Sequence, residues 1–307
     1  MVVLAGLVLR IAFRERLLPT PEAREKAVQG AFGQFMMVAI GGRILFSFLP
    51  TGRGFASLQE MAGGGLVFYG GLIGATLFSV WYSLANGIEF LRRHGNGPDG
   101  KLYFTLTRDG RPLRMRRYVY SECFATIGSA AYAKATGDDR SAAEALQYFE
   151  TYLHHSFTPG VMPPKTDTTT RPMQGVAPHM IAIVTAQEIR ALLGDVSVMG
   201  ATCTQWIDRS LRAIERDFFK PELGALMETV GTDGAVLDTF DGRTLNPGHA
   251  IECAWFILHE AKHRGHDPRL AKLGLAILDC MWARGWDREF GGLLYFTDLH
   301  GKPVQEY

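Results

Sequence analysis

A short glycine-turn hairpin recurs along this chain, and that recurrence constrains the fold more than any single segment. One copy runs Asp99-Gly100-Lys101-Leu102-Tyr103-Phe104-Thr105 and closes through Asp109-Gly110-Arg111-Pro112. Another runs Gly291-Gly292-Leu293-Leu294-Tyr295-Phe296-Thr297 and closes through Gly301-Lys302-Pro303. Pro221-Glu222-Leu223-Gly224-Ala225-Leu226, with Asp233-Gly234 beyond it, is a weaker third. Glycine turns between alternating apolar and polar residues are hairpin signals. Copies separated by helix pairs point to a closed ring of helical hairpins. In such a ring the inter-helix hairpins gather at one end, where a sugar-sized cleft would lie.

The segments between hairpins have helical periodicity. The spacing predicts helices over 120–136, 141–155, 176–193, 204–219, 246–262 and 267–284. Ala142, Leu146, Phe149 and Leu153 form one apolar stripe. Ile207, Leu211 and Ile214 form another, with Asp208, Arg212 and Arg216 pointing elsewhere. Gly137-Asp138 ends the first helix, and Asp267 with Pro268 starts the last. Helices of this length with few independent strands predict an all-α architecture.

The helix starting at Asn246-Pro247 carries the main candidate site. His249, Glu252 and Trp255 follow at spacings of three, so they project from nearly one side. An imidazole, a carboxylate and a large aromatic at a helix mouth suit sugar handling. Taken alone, H-x-x-E fits a satisfied histidine beside a chance carboxylate better, so the case rests on context. His179, after Pro178 at the start of the third helix, is either a sugar ligand facing the cleft or a structural histidine. His154, His155, His259, His263 and His266 lie near polar helix ends and read as solvated. Without an H-E-x-x-H or clustered Cys/His pattern, neither metal nor cofactor is expected. No carboxylate pair suited to glycoside hydrolysis stands out. Cys123, Cys203, Cys253 and Cys280 are far apart and read as free thiols of a reducing compartment. A formal net charge of +1 gives no sign of a nucleic-acid partner.

Before residue 90 the chain has another character. Met61–Ala85 holds no charged residue, and as a helix it would span about 30 Å of hydrocarbon. A second apolar run, 35–49, carries Arg43. Arg14, Arg16, Arg24, Arg92 and Arg93 are the expected cytoplasmic flanks. Gly41-Gly42-Arg43-Ile44-Leu45-Phe46 and Gly64-Gly65-Leu66-Val67-Phe68-Tyr69-Gly70-Gly71-Leu72-Ile73-Gly74 resemble the middle of prolipoprotein diacylglyceryl transferases, a family of membrane enzymes. The resemblance covers residues 35–90 and implies a fragment of such an enzyme.

A second resemblance covers the rest. Arg171-Pro172-Met173-Gln174-Gly175, Asn246-Pro247-Gly248-His249-Ala250-Ile251-Glu252 and Gly291-Gly292-Leu293-Leu294-Tyr295-Phe296-Thr297-Asp298 together resemble the N-acylglucosamine 2-epimerase family. The resemblance implies an (α/α)6 barrel that epimerises or isomerises a free reducing sugar of the N-acylglucosamine, glucose–mannose or cellobiose type. It implies His249 as one of two catalytic histidines and Glu252 as the group that orients His249 or a sugar hydroxyl. Trp255 would stack on the sugar. It places the second histidine in a motif beyond Tyr307, and an arginine near Glu122–Phe124 where none stands. The expected organisation is therefore a membrane-like helical segment over 1–93 and an incomplete, C-terminally truncated barrel over 94–307. The catalytic part is expected in the cytoplasm, with the first segment at the inner membrane and the oligomeric state open. The alternatives are a lipid-transferase-like membrane protein and an inactive fusion of two gene fragments.

Overall fold

The structure is a computed structural model that describes residues 86–304. The apolar run 61–85, Arg43 and the glycine motifs between 41 and 74 lie outside the described residues. Ile88–Tyr307 form one compact unit.

Six long helices organise the described residues, all within a residue or two of the predicted spans except α4. They are α1 (Tyr120–Thr136), α2 (Asp139–Phe157), α3 (Ala177–Leu193), α4 (Cys203–Ala213), α5 (Pro247–His263) and α6 (Pro268–Gly285). Local chemistry sets their ends. Gly137 adopts the left-handed conformation, with φ of 73°, and stops α1. The Asp138 side chain then caps α2. Thr202 and Gln205 form a reciprocal capping box on α4. Asp267 accepts from the backbone N–H groups of Arg269 and Leu270 to start α6. The predicted helix over 204–219 is α-helical only to Ala213 and then passes through a π turn, Ile214–Phe218. The wider turn releases Phe219 into a strand.

The helices stack in pairs, α1 on α2, α3 on α4 and α5 on α6. α3 also packs against both α1 and α5. α1, α3 and α5 therefore form one row, backed by α2, α4 and α6, giving three consecutive α/α hairpins. Phe149, Tyr152, Ile183, Ile207, Ile257 and Leu270 are fully buried between the rows. Each such side chain contributes about 1.5–3 kcal/mol of transfer free energy.

A polar seam crosses this core. Glu260 of α5, with 0% of its surface exposed, accepts from Arg190 of α3 at 2.6 and 3.0 Å and from Gln187 at 3.0 Å. It also accepts from Arg264 at 2.7 Å, and Arg264 pairs with Asp208 of α4. Burial alone would raise the Glu260 carboxyl, but the bonds from Arg190, Gln187 and Arg264 outweigh it and hold the pKa down at about 2.

The hairpins are short ladders. β1 (Thr105–Leu106) pairs with β2 (Pro112–Arg114), β4 (Ser197–Val198) with β5 (Ala201–Thr202), and β6 (Phe219–Lys220) with β7 (Ala225–Leu226). Two pairings depart from the predicted local hairpins. β3 (Met173–Gly175) runs antiparallel to β8 (Thr229–Gly231). β10 (Thr297–Asp298) pairs with β9 (Thr244–Leu245), just ahead of α5, instead of closing on Gly301–Pro303. Unpaired backbone beside the start of α5 is satisfied by the last hairpin.

The Arg92 guanidinium bonds Glu144 at 2.9 Å and Asp138 at 3.0 Å at the start of α2, with only 15% of the side chain exposed. It is a half-buried partner in two ion pairs among the described residues. Among the described residues no helix is long and apolar enough to cross a membrane.

Candidate active site

The site is built where α5 begins. The Asn246 side chain accepts from the His249 backbone N–H at 3.1 Å, and Pro247 occupies the first turn. Behind this turn, a Cβ on Gly285 would collide with Pro247 and come within 2.8 Å of Leu293 Cδ1. The chain crosses there because position 285 has no side chain. Leu294 N–H donates to Gly285 O at 2.7 Å, and Asp298 holds Arg243 just before β9. The Gly291–Asp298 motif thus buttresses the helix start that presents His249.

The imidazole of His249 is held by Glu228. Nδ1 lies 3.1 Å from Oε1 and 3.3 Å from Oε2 of that carboxylate. The side chains are 43% and 25% exposed, so the pair opens to solvent. The hydrogen bond to Glu228 is the main cause that raises the His249 pKa. Burial opposes it, and the charges of Glu228 and Glu252 add to it. Facing a carboxylate, Nδ1 carries the proton and the neutral ring keeps its lone pair on Nε2. Nε2 has no hydrogen-bond partner among the described residues.

The ribbon β3–β8 positions Glu228, which sits between β7 and β8. Gln174 pairs with Val230 and Gly175 with Thr229. Gln174 Nε2 donates to Gly231 O at 3.2 Å, and the Val176 N–H donates to Glu228 O at 3.1 Å. The Arg171–Gly175 motif is therefore the strand that carries the His249 partner.

Glu252 is exposed one turn along α5 and acts on His249 through its charge. Among the described residues the hydrogen bond to the His249 ring comes from Glu228 and not from Glu252. Trp255, 60% exposed, continues the same side of α5. His179 is placed apart from this row. Its ring packs between Phe157 at 5.2 Å and Phe218 at 5.8 Å, and its buried Nδ1 has no partner. Burial is the main cause that drops its pKa to about 4, so the ring is neutral at pH 7. Its helix is tied to Glu228 through Val176, which puts His179 at the same end of the hairpins. Glu122 turns inward, accepting from the Leu102 N–H at 2.8 Å, whereas Phe124 is 75% exposed. Tyr120, at the start of α1, feels the charge of Glu228, and its hydroxyl stays protonated because burial raises its pKa.

A family model described as N-acylglucosamine 2-epimerase (GlcNAc 2-epimerase) matches residues 79–307. The chain belongs to the N-acylglucosamine 2-epimerase family. The N-acylglucosamine 2-epimerase of Mus musculus is 34% identical over 226 residues, covering 70% of this chain and 51% of that protein. The enzyme of Homo sapiens is 33% identical over 220 residues, covering 69% and 49%. The chain thus spans about half the length of the curated relatives it matches. The fold is that of solved sugar epimerases. Cellobiose 2-epimerase from Bacillus thermoamylovorans superposes with a TM-score of 0.57 at 15% identity, covering 77% of this chain and 59% of that one. A sugar epimerase from a ruminal bacterium gives 0.53 at 17%, covering 68% and 56%.

The N-acylglucosamine 2-epimerase match begins inside the apolar run 61–85, so the boundary expected at 93/94 falls within the matched residues. Glu228 was not singled out from the sequence. Its signal is a carboxylate interrupting the mostly apolar stretch 225–230 inside the weakest hairpin copy.

Proposed function

We propose that this domain binds the open-chain form of a free reducing sugar and removes the proton from C2, as a sugar 2-epimerase or aldose–ketose isomerase. The observation that carries this reading is the His249–Glu228 pair at the mouth of α5. A C2 proton next to the C1 carbonyl is acidic enough for an imidazole of near-neutral pKa. Nε2 of His249 takes that proton, and the electron pair moves onto the carbonyl oxygen to give an enediolate. Glu228 keeps the accepting nitrogen in the right tautomer and stabilises the imidazolium that forms. Return of a proton to C2 from the same side restores the sugar with exchange. Return from the opposite side gives the epimer, and return to C1, with the proton on O2 passing to O1, gives the ketose. Trp255 offers an apolar face for the sugar ring, and Glu252 an acceptor for a hydroxyl. His179 would supply a fixed neutral wall. The three α/α hairpins are read as consecutive units of an (α/α)6 ring, supported by the likeness to the solved epimerases.

The test is C2 exchange in heavy water with mannose, glucose, cellobiose and N-acetylglucosamine. Deuterium should enter C2 of at least one sugar, and His249→Ala should abolish it. A folded chain that exchanges none of them overturns the reading.

A further inference from the structure

The sequence from Arg108 to Arg117 holds five arginines and one acid, Asp109. Arg111 pairs with that acid at 2.8 Å. Arg114, Arg116 and Arg117 have no carboxylate partner among the described residues. Arg114 and Arg116 gather around the half-exposed Phe104, with Cζ 5.9 and 4.0 Å from the ring centroid. Arg117 lies over Tyr118 at 4.3 Å and donates to Pro163 O at 2.7 Å. Nε of Arg116 is buried without an acceptor. Partly desolvated guanidinium groups without counter-charge are costly, and an anion that accepts from them in a planar fork relieves that cost.

These cations adjoin the candidate active site. Tyr118 stacks on Tyr120 with centroids 5.6 Å apart and planes 12° off parallel. The Tyr120 hydroxyl lies in the fields of both Arg117 and Glu228. Tyr120 therefore links the two groups: Arg117 and Glu228 act on its hydroxyl with opposite sign, and Glu228 in turn holds His249. A sugar bearing a negative charge would be drawn to the arginines and repelled by the carboxylates. Its opposite end would then face His249.

We propose that the substrate is a sugar carrying an anionic group, phosphate, sulfonate or carboxylate, at the end remote from C1 and C2, and that Arg114, Arg116 and Arg117 hold that group. This rests on the reading of His249 as the C2 base and specifies the substrate class of the same site.

The experiment measures C2 exchange for mannose 6-phosphate and N-acetylglucosamine 6-phosphate beside the neutral sugars. The expected kcat/KM is higher for the phosphorylated sugars by about tenfold or more. The double variant R116Q/R117Q should bring that ratio toward one, and 0.5 M salt should narrow it. Equal or lower kcat/KM for the phosphorylated sugars overturns the proposal and leaves the epimerase reading standing. If no sugar exchanges, the epimerase reading fails, and calorimetric titration of the folded His249→Ala chain decides the substrate class. Mannose 6-phosphate binding tighter than both mannose and inorganic phosphate, and weakening in R116Q/R117Q, supports an anionic-sugar site. Inorganic phosphate binding as tightly as mannose 6-phosphate marks a site for free phosphate and overturns the proposal, as does the absence of binding.

Discussion

Replacing Glu260 by Gln tests how the three helical hairpins are held together. The carboxylate is fully buried and joins α5 to α3 through Arg190 and Gln187, and to α4 through Arg264 and Asp208. The amide is nearly isosteric, so no cavity opens, but Arg190, whose side chain is 9% exposed, loses its counter-charge. The Glu260 pKa of about 2, against an ordinary value of 4.5, corresponds to roughly 3 kcal/mol favouring the charged form in the folded state. Removing one partner of a buried pair costs about 3–5 kcal/mol in other proteins, which agrees. For a domain of this size each kcal/mol lowers Tm by about 2–4 °C, so Glu260→Gln should melt about 6–12 °C below wild type at pH 7. The pH dependence has a definite sign. The folded pKa lies below the unfolded one, so the contribution is complete above pH 4.5 and is lost as pH falls toward 2. The gap between wild type and variant should therefore narrow below pH 4.5 and stay constant from 5 to 8. Paired calorimetric melts across this range read both effects. A variant that melts within 1 °C of wild type at pH 7, or a gap that widens on acidification, would refute the reasoning.

Two further outcomes concern single histidines. Glu228 raises the His249 pKa, so in Glu228→Gln the acid limb of the C2-exchange profile should move to lower pH while kcat falls roughly 100-fold; an unmoved limb would remove Glu228 from the mechanism. His179 is held neutral with a folded pKa of about 4, so its contribution to stability is full above pH 6.5 and lost as pH falls to 4. His179→Leu should flatten the Tm profile over that window, by on the order of 2–3 kcal/mol, and a profile parallel to wild type would contradict the buried neutral ring.

Helix placement was legible because it depends on residues within a turn of each other. The cap at Asn246, the proline after Asp267 and the apolar stripe through Ile207, Leu211 and Ile214 are local chemistry, and α5, α6 and the buried face of α4 follow from them. The same locality put His249, Glu252 and Trp255 on one side of α5. It also limited what could be inferred about the group that holds His249. Helical spacing nominated Glu252, three residues away, whereas the bond is made by Glu228, delivered by a ribbon whose strands are far apart in sequence. The ion pairs of Arg92 were not legible because its partners, Asp138 and Glu144, are some fifty residues away and come within reach only in the folded chain. The last hairpin read as closing on itself because a turn is a local signal, while its pairing with β9 requires α5 and α6 already packed. By itself the sequence determined the helices, their buried faces and the histidine at the mouth of α5. Only the tertiary structure decided which carboxylate holds that histidine and which carboxylates Arg92 meets. Those contacts close long loops, whose entropy is offset only after the core has assembled.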